Sequence, residues 1–324
     1  MYGVLDPASD TNYVRIQRGY LGDEAASASF GISDSLYYDS AEIDVFIREY
    51  SNPNATTFDR EAKLIWDDSK SLDTGTYTGE GHHLYRVPSN FDIQRDKEYE
   101  VVVRRLDGTE ASARTGIVGR IRILRPLEPF SIRIFNGQIQ FIADQETTQP
   151  NPEATVKMTA YQPVLYFHYK EVNLTTDEES FHTVTIRLPL QETRFDQTEI
   201  IYNGSQLYAA LASEIEPDPS KNILRFFQNM DLEITGVSED MMTYIELNSP
   251  ATGVNQNRPQ FEQVVNGTGI LTSRTTVARE QIDLQETIES RMLENSLVCD
   301  LNFTILKLNG SDTCYCINNQ EVCF

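Results

Sequence analysis

Apolar and polar residues alternate in short segments along most of the chain, and residues typical of turns separate these segments. The clearest segment is 41–50, in which Ile43, Val45 and Ile47 fall on one side and the charged residues fall largely on the other. A period of two is typical of a β-strand with one buried face. The same reasoning predicts strands at residues 61–66, 83–87, 99–105 and 118–124. Residues 13–18 also alternate, but neither of their faces is fully apolar.

Turn signals organise the second part of the chain in the same way. Asp107-Gly108 predicts a hairpin after the strand at 99–105, and Asn136-Gly137 predicts another, because Asn-Gly and Asp-Gly favour two-residue hairpin turns. Pro126 and Pro129 indicate a domain boundary between these two hairpins. The further strands predicted in this part are at residues 130–135, 138–143, 160–172, 181–190, 223–227 and 232–236.

Two segments show a helical rather than a two-residue period. Residues 205–214 follow Asn203-Gly204 and place Leu207 and Leu211 on one helical face. Residues 283–294 show a similar stripe, and Asp283 is predicted to cap that helix. Because strands dominate and no strand–helix–strand alternation is present, the pattern predicts β-sandwich domains with two inserted helices.

The stretch 240–274 predicts two strands joined by a long loop rich in Asn and Gln. Residues 242–247 alternate like a strand, and Gly267 and Gly269 lead into a closing strand that contains Ile270. Ordered loops of this length are often functional. We therefore predict that the loop at 249–260 and its end dock a partner, through Asn255, Asn257, Arg258 and Phe261.

Composition narrows the classes of function. The 324 residues favour about two domains, and 40% hydrophobic residues are enough for real cores. With 49 Asp and Glu against 27 Lys and Arg, the net charge is −22, which argues against binding to phosphate backbones. Met1 leads into Tyr2 without a basic flank or an apolar segment, which taken alone predicts a cytoplasmic protein.

All four cysteines, Cys299, Cys314, Cys316 and Cys323, lie at the C-terminal end. Their spacing fits a zinc site poorly, since zinc sites use pairs separated by two to four residues. A disulfide framework fits better, and three connectivities are open. Two disulfides would place the protein in an oxidising compartment.

A two-residue turn at Asn318-Asn319 favours one of these connectivities. It would place Cys314 opposite Cys323 at a Cα separation of about 4.5 Å, which disulfide geometry accepts. Cys316 lies on the same face as Cys314 and would then reach Cys299. We predict the pairs Cys314–Cys323 and Cys299–Cys316.

The sequence carries no recognisable catalytic motif, such as GxSxG, HExxH or a phosphate-binding loop. We therefore predict no catalytic site, no cofactor and no metal, although the many carboxylates leave a glycan hydrolase as an alternative. His168 and His182 lie on predicted strands that could pair, so a two-histidine cluster is conceivable, but we favour the interpretation that each histidine is simply half-buried. Five tyrosines could form a stacking platform that binds glycans or a protein partner: Tyr37, Tyr38, Tyr161, Tyr166 and Tyr169. Alternatively, these side chains fill the space between two sheets, and we favour this second interpretation.

Both ends of the chain resemble an uncharacterised family of Bacteroidota outer-membrane lipoproteins. The residues that carry the resemblance are the strand at 12–21, the pair Tyr37-Tyr38, and the segment from TYIELNSP to GVNQNRPQFEQVVNGTGILTSR within 240–274. It covers most of residues 6–303. The resemblance implies immunoglobulin-like sandwich domains, a lipid anchor upstream of this chain, and a location at the outer membrane or cell surface.

Together these observations predict a mainly β protein with two immunoglobulin- or fibronectin-like sandwich domains. The first domain would span 1–126, and the second 127–303 with helices near 205–215 and 283–294, followed by a Cys-rich hairpin at 304–324. The predicted function is that of a non-enzymatic scaffold that binds an envelope protein, for example as an accessory subunit of an outer-membrane β-barrel complex for assembly, secretion or import. The alternatives are a glycan-binding lipoprotein and a glycan-active hydrolase.

Overall fold

The structure is a computed structural model. It describes residues 1–19, 37–69, 83–126, 131–132, 134–135, 138–145, 156–193, 197–220, 222–248, 263–284, 301–304, 314–317 and 320–323. Strands dominate this part of the chain, so the protein is mainly β, as the alternating pattern predicts.

Contacts group the chain into two compact units, each built from three segments. The first unit contains residues 1–120, 146–160 and 236–276, and the second contains 121–145, 161–235 and 277–324. The domain division at residues 126 and 303 was drawn from the order of the chain, and it stays a prediction.

The strands of the first half are short. In chain order they are β1 (Tyr2–Leu5), β2 (Tyr13–Arg15), β3 (Ile43–Tyr50), β4 (Arg60–Lys63), β5 (Ile65–Asp67), β6 (Leu84–Arg86), β7 (Glu98–Arg105), β8 (Glu110–Gly116), β9 (Ile121–Arg125), β10 (Ser131–Ile132), β11 (Ile134–Phe135) and β12 (Gln138–Gln145).

The second half contains longer strands and the two helices of the described residues. They are β13 (Met158–Asn173), β14 (Glu179–Arg187), β15 (Gln191–Glu192), β16 (Gln197–Asn203), α1 (Gly204–Glu214), β17 (Ile223–Ser238), α2 (Glu239–Asn248), β18 (Ile270–Leu284), β19 (Phe303–Thr304), β20 (Cys314–Ile317) and β21 (Gln320–Cys323).

The first unit is a β-sandwich. One sheet has the order β1-β2-β6-β5, with β18 parallel to β1 on the other side, and the second sheet has the order β4-β3-β7-β8. Alternate residues of both sheets, such as Val14 and Tyr85 on one and Val45 and Val101 on the other, belong to a single buried cluster. On β3, Ile43, Val45 and Ile47 are buried as predicted.

The predicted strand at 61–66 is two strands, because the chain changes sheets within it. β4 pairs with β3, whereas β5 pairs with β6 in the opposite sheet. Leu64 lies between the two strands, is 3% exposed, and donates its backbone N–H to the Val45 carbonyl at 2.8 Å. The Leu64 side chain therefore fills the core at the point where the chain passes from one sheet to the other.

The second unit contains the predicted long hairpin and the first predicted helix. β13 and β14 pair antiparallel from Val164–Arg187 to Val172–Glu179, and β11 pairs with β12 on either side of Asn136-Gly137. Helix α1 is capped by Asn203, whose side chain accepts from the backbone N–H of Ser205, and it buries Leu207 and Leu211.

Three sequence predictions of secondary structure are wrong. Residues 242–247 belong to helix α2 rather than to a strand, because Ser238 caps that helix by accepting from the Met241 N–H at 3.4 Å and Glu239 and Asp240 occupy its first turn. The two strands predicted at 223–227 and 232–236 are the single strand β17.

The third error concerns Asp283, which lies in strand β18 and therefore does not cap a helix. The rest of the helix predicted there, residues 285–294, lies outside the described residues. The sequence predicts Asp283 as a cap because the apolar residues that follow it in the sequence have a helical spacing. Periodicity alone does not distinguish a short buried helix from the end of a strand.

Candidate functional site

An open groove in the first unit is the strongest candidate for a functional site. It has a volume of about 710 Å³, within the usual range for ligand pockets. Its walls come from strands β1, β2 and β6, the start of β18, and helix α2. The side chains that give it chemical character are Tyr2, Tyr13, Arg15, Met241 and Tyr244.

Strand register places the first of these side chains on the outer face of the sheet. Tyr2 pairs with Arg15 across β1 and β2, and Arg15 pairs with Leu84 across β2 and β6. Their neighbours Val14 and Tyr85 point the other way and are buried in the sandwich core. Because side chains alternate across a strand, packing of the core fixes Tyr2 and Arg15 outward.

Tyr2 is the centre of the contacts within the groove. The Arg15 guanidinium lies 5.3 Å from the centre of the Tyr2 ring, and Tyr244 meets the same ring edge-on at 6.4 Å. Burial raises the pKa of the Tyr244 hydroxyl, the neighbouring Tyr2 raises it further, and the positive charge of Arg15 lowers it. The groove therefore presents tyrosine hydroxyls beside the Arg15 guanidinium.

The two ends of the groove are held by carboxylates. Tyr13 donates its hydroxyl to Oδ2 of Asp67 at 3.3 Å at one end. At the other, Nε of Arg274 lies 3.4 Å from Oδ2 of Asp6, whose other oxygen accepts from the Ala8 N–H at 3.0 Å. These contacts hold the side chains of Tyr13 and Arg274, whereas Arg15 lies over Tyr2.

Arg15 has no carboxylate partner among the residues that the structure describes, and its contact there is with Tyr2. Other arginines of the same unit are paired: Arg48 with Glu61, Arg60 with Glu49 and Arg114 with Glu98. In a chain in which carboxylates outnumber cations 49 to 27, a half-buried arginine that pairs with no carboxylate of the described residues can bind a group from outside.

Helix α2 connects the groove to the predicted docking loop. The helix ends at Asn248, and the described chain resumes at Gln263. Gln263 donates to Oδ2 of Asp240 at 3.0 Å, and its side chain also bonds both the N–H and the carbonyl of Leu271, each at 2.7 Å. Burial raises the pKa of the Asp240 carboxyl. The base of the loop is thus tied to the helix that carries Tyr244.

Of the site residues predicted from sequence, the structure describes those of the C-terminal hairpin. Asn255, Asn257, Arg258 and Phe261 lie outside the described residues, as does Cys299. In the C-terminal hairpin, β20 pairs with β21 in the predicted register, with Cys314 opposite Cys323 and Cys316 opposite Glu321. Both predicted disulfides stay predictions.

The two-histidine cluster, the less favoured alternative for His168 and His182, does not form. His168 pairs with Thr183 and His182 pairs with Tyr169, so the two histidines point to opposite faces of the sheet. His182 stacks on Tyr169 at 5.2 Å and lies 3.3 Å from Oε2 of Glu171.

His168 belongs to a different hydrogen-bonded group in the second unit. Its Nδ1 is 2.8 Å from Oγ1 of Thr183, its Nε2 is 3.0 Å from Oδ2 of Asp231, and Oδ1 of Asp231 accepts from the Gln281 N–H at 2.8 Å. The order hydroxyl, imidazole, carboxylate resembles a nucleophilic triad. His168 and Asp231 are each 28% exposed on the face of a sheet, where water screens them, so the geometry favours a tie between strands.

The predicted aromatic residues divide between core and surface. Tyr161 is fully buried and Tyr169 is 6% exposed, in agreement with the interpretation that alternate aromatics fill the space between sheets. Tyr37, Tyr38 and Tyr166 are half-buried, as are Tyr2, Tyr13 and Tyr244 of the groove.

No protein-family model matches the chain, and a search of curated proteins found no match. Among the described residues, no group of three or more His, Cys, Asp or Glu side chains is arranged to hold a metal ion. None of the described helices has the length and apolar character needed to cross a bilayer.

Sequence reasoning missed the groove because its parts come from distant segments. The available signal was the polar face of residues 13–18, which carries Tyr13 and Arg15 although the opposite face is buried. Tyr2 and Tyr244 gave no signal of their own. Interpreting residues 242–247 as a strand also removed Tyr244 from the helical face that it shares with Met241, three residues earlier.

Proposed function

We propose that this protein is a non-enzymatic scaffold that binds another protein of the cell envelope through the groove around Tyr2, Arg15 and Tyr244. The observation that carries the proposal is one open groove that combines tyrosine, methionine and an arginine that has no carboxylate partner among the described residues. Tyr, Met and Arg are enriched at protein interfaces, and Tyr and Arg dominate their energetics.

The proposed scaffold is an immunoglobulin-like sandwich. Taking β1, β2, β6 and β5 as strands A, B, E and D, and β4, β3, β7 and β8 as C′, C, F and G, the order within each sheet corresponds to that fold. The hydroxyl of Tyr99, near the start of β7, accepts from the Gln94 N–H at 2.7 Å. A tyrosine that bonds the backbone a few residues upstream at this position supports the same assignment.

The proposed location is the outer membrane or cell surface, with a lipid anchor on a segment outside this sequence. The resemblance of residues 12–21 and 240–274 to outer-membrane lipoproteins supports it. The register of β20 and β21 supports it independently, because it places Cys314 opposite Cys323, and a disulfide there would require an oxidising compartment. The docking loop predicted at 249–260 would add to the contact surface, since helix α2 of the groove ends at Asn248.

The experiment is affinity purification of the tagged protein from native envelopes, with Arg15→Glu compared with Arg120→Glu. Arg120 is exposed and does not line the groove, so it is a matched reversal of charge. We expect a partner recovered in stoichiometric amount with the wild type and with Arg120→Glu, and lost with Arg15→Glu. Equal recovery with both variants, or recovery of no partner, would contradict the proposal. Circular dichroism and the thermal midpoint control for folding.

A further inference from the structure

We infer that the groove recognises a carboxylate on the partner, carried by an acidic peptide segment, and that Arg15 binds it. This inference rests on the proposed function and adds the chemical class of what enters the groove. It begins from the state of Arg15, which is half-buried, lies over the Tyr2 ring at 5.3 Å, and has no carboxylate partner among the described residues.

The guanidinium N–H groups of Arg15 have no hydrogen-bond acceptor among the described residues. Two N–H groups of a guanidinium match the two oxygens of a carboxylate, so Arg15 can bind one in a bidentate manner. Leu84, next to Arg15 in register, and Met241 on the helix add apolar surface for the neighbouring side chains of a peptide.

The charges around the groove favour recognition at short range. The protein carries a net charge of −22, so an acidic partner gains nothing from long-range attraction. At physiological ionic strength, electrostatic interactions beyond about 8 Å are largely screened. The charges nearest to the groove therefore determine whether a charged ligand is attracted to it. Asp6, in the groove lining, is beside Arg274 at 3.4 Å, and Asp67 is beside Arg86 at 3.9 Å. Each of these carboxylates has a cation of its own, and neither is paired with Arg15.

A peptide explains the lining better than a sugar does. Sugar rings bind on exposed aromatic faces, and here Arg15 covers one face of Tyr2 while Tyr244 lies against its edge. An extended peptide instead needs a charged contact with apolar surface on both sides, which Arg15, Leu84 and Met241 supply.

The test is fluorescence anisotropy of three labelled synthetic decapeptides with the purified chain: Glu alternating with Leu, Gln alternating with Leu, and Lys alternating with Leu. We expect the Glu peptide to bind more tightly than the other two, and Arg15→Gln to weaken it by about tenfold or more, the scale of a hydrogen-bonded charge. Arg15→Lys should restore only part of the affinity, because Lys lacks the planar fork. Arg120→Gln should leave it unchanged.

Equal binding of the Glu and Gln peptides, or a Glu affinity that Arg15→Gln leaves unchanged, would overturn the inference. Binding of an oligogalacturonate in place of the Glu peptide would also overturn it, since the carboxylate would then come from a glycan. If the peptides fail while envelope purification still recovers an Arg15-dependent partner, the proposed function stands and only the carboxylate recognition is wrong.

Discussion

The hydroxyl of Tyr99 donates to Oε2 of Glu49 at 3.0 Å in the core of the first unit. The same hydroxyl accepts from the Gln94 N–H, and Arg60 donates Nε to the other oxygen of Glu49 at 2.9 Å. Glu49 is 5% exposed, so its charge depends on these donors. The contacts join strands β3, β4 and β7 to the segment that precedes β7.

Tyr99→Phe should therefore destabilise the protein. It removes two hydrogen bonds and leaves a buried carboxylate with one donor fewer, at a cost of about 1–3 kcal/mol. The matched control is Tyr85→Phe, because the Tyr85 hydroxyl is buried with no hydrogen-bond partner among the described residues. Its removal should be neutral or stabilising. Urea unfolding at pH 7 measures the free energy of unfolding of both variants. Equal losses of stability in Tyr99→Phe and Tyr85→Phe would contradict this role of the Tyr99 hydroxyl.

The stability should also fall at alkaline pH. Burial raises the pKa of both the Tyr85 and Tyr99 hydroxyls, so the folded protein keeps protons that the unfolded chain releases near pH 10. Their contribution is complete below that pH and is lost as the pH rises above it. Urea midpoints from pH 8 to 11 should fall less steeply for Tyr85→Phe than for the wild type. Parallel profiles would count against a buried, protonated Tyr85.

Gly269→Ala should be among the most damaging single changes in the first unit. Gly269 has a φ of +121°, and a Cβ there would lie 1.8 Å from the Met1 carbonyl oxygen, whose backbone has little freedom because it accepts from the Ile270 N–H at 2.9 Å. Gly108→Ala is the control, with a φ of +84° and nothing within 4 Å of the new carbon.

The control should lose about 1–2 kcal/mol, from the left-handed conformation alone. We expect Gly269→Ala to lose clearly more than this, because β1 must separate from β18 to admit the methyl group. Thermal unfolding of the two variants side by side gives the comparison. Similar midpoints would mean that β1 and β18 are not in close contact at this point.

Arg225 should be essential to the second unit. It is 3% exposed and donates to Oε1 of Glu171 at 2.7 Å, to the Leu301 carbonyl at 2.7 Å and to the Glu216 carbonyl at 2.8 Å. Arg225→Met leaves these acceptors unpaired, and breaking a buried pair costs about 3–5 kcal/mol.

The pair of Arg122 with Asp144 in the same unit gives the control, since the Arg122 side chain is 43% exposed and pairs that water reaches contribute about 1 kcal/mol or less. In chemical unfolding, the loss of unfolding free energy should be several-fold larger for Arg225→Met than for Arg122→Met. Comparable losses would show that the Arg225 site is open to water.

Local patterns in the sequence predicted much of the fold. The two-residue period of β3, the Asn203 cap of α1 and the register that sets Cys314 opposite Cys323 each depend on residues close in sequence. The error at 242–247 arose because six alternating residues fit a strand and also a helix turn, and only the cap at Ser238 decides between them. Short segments carry too little periodicity to separate the two.

The groove was not predictable from such patterns. Tyr2, Arg15 and Tyr244 meet because β1 pairs with β2 on one side and in parallel with β18 on the other, and parallel pairing has no local turn signal. Arg15 lacks a carboxylate partner among the described residues, unlike Arg60 and Arg114, and this difference is visible only once the chain is folded.

The most direct test of the binding groove is photo-crosslinking in native envelopes, with p-benzoylphenylalanine in place of Tyr244 or of Leu106. Leu106 is 81% exposed in the same unit and does not line the groove, so it reports non-specific contact. Our account predicts one discrete crosslinked protein from position 244 that is missing from position 106. The absence of a crosslink at position 244, or the same products from both positions, would contradict it.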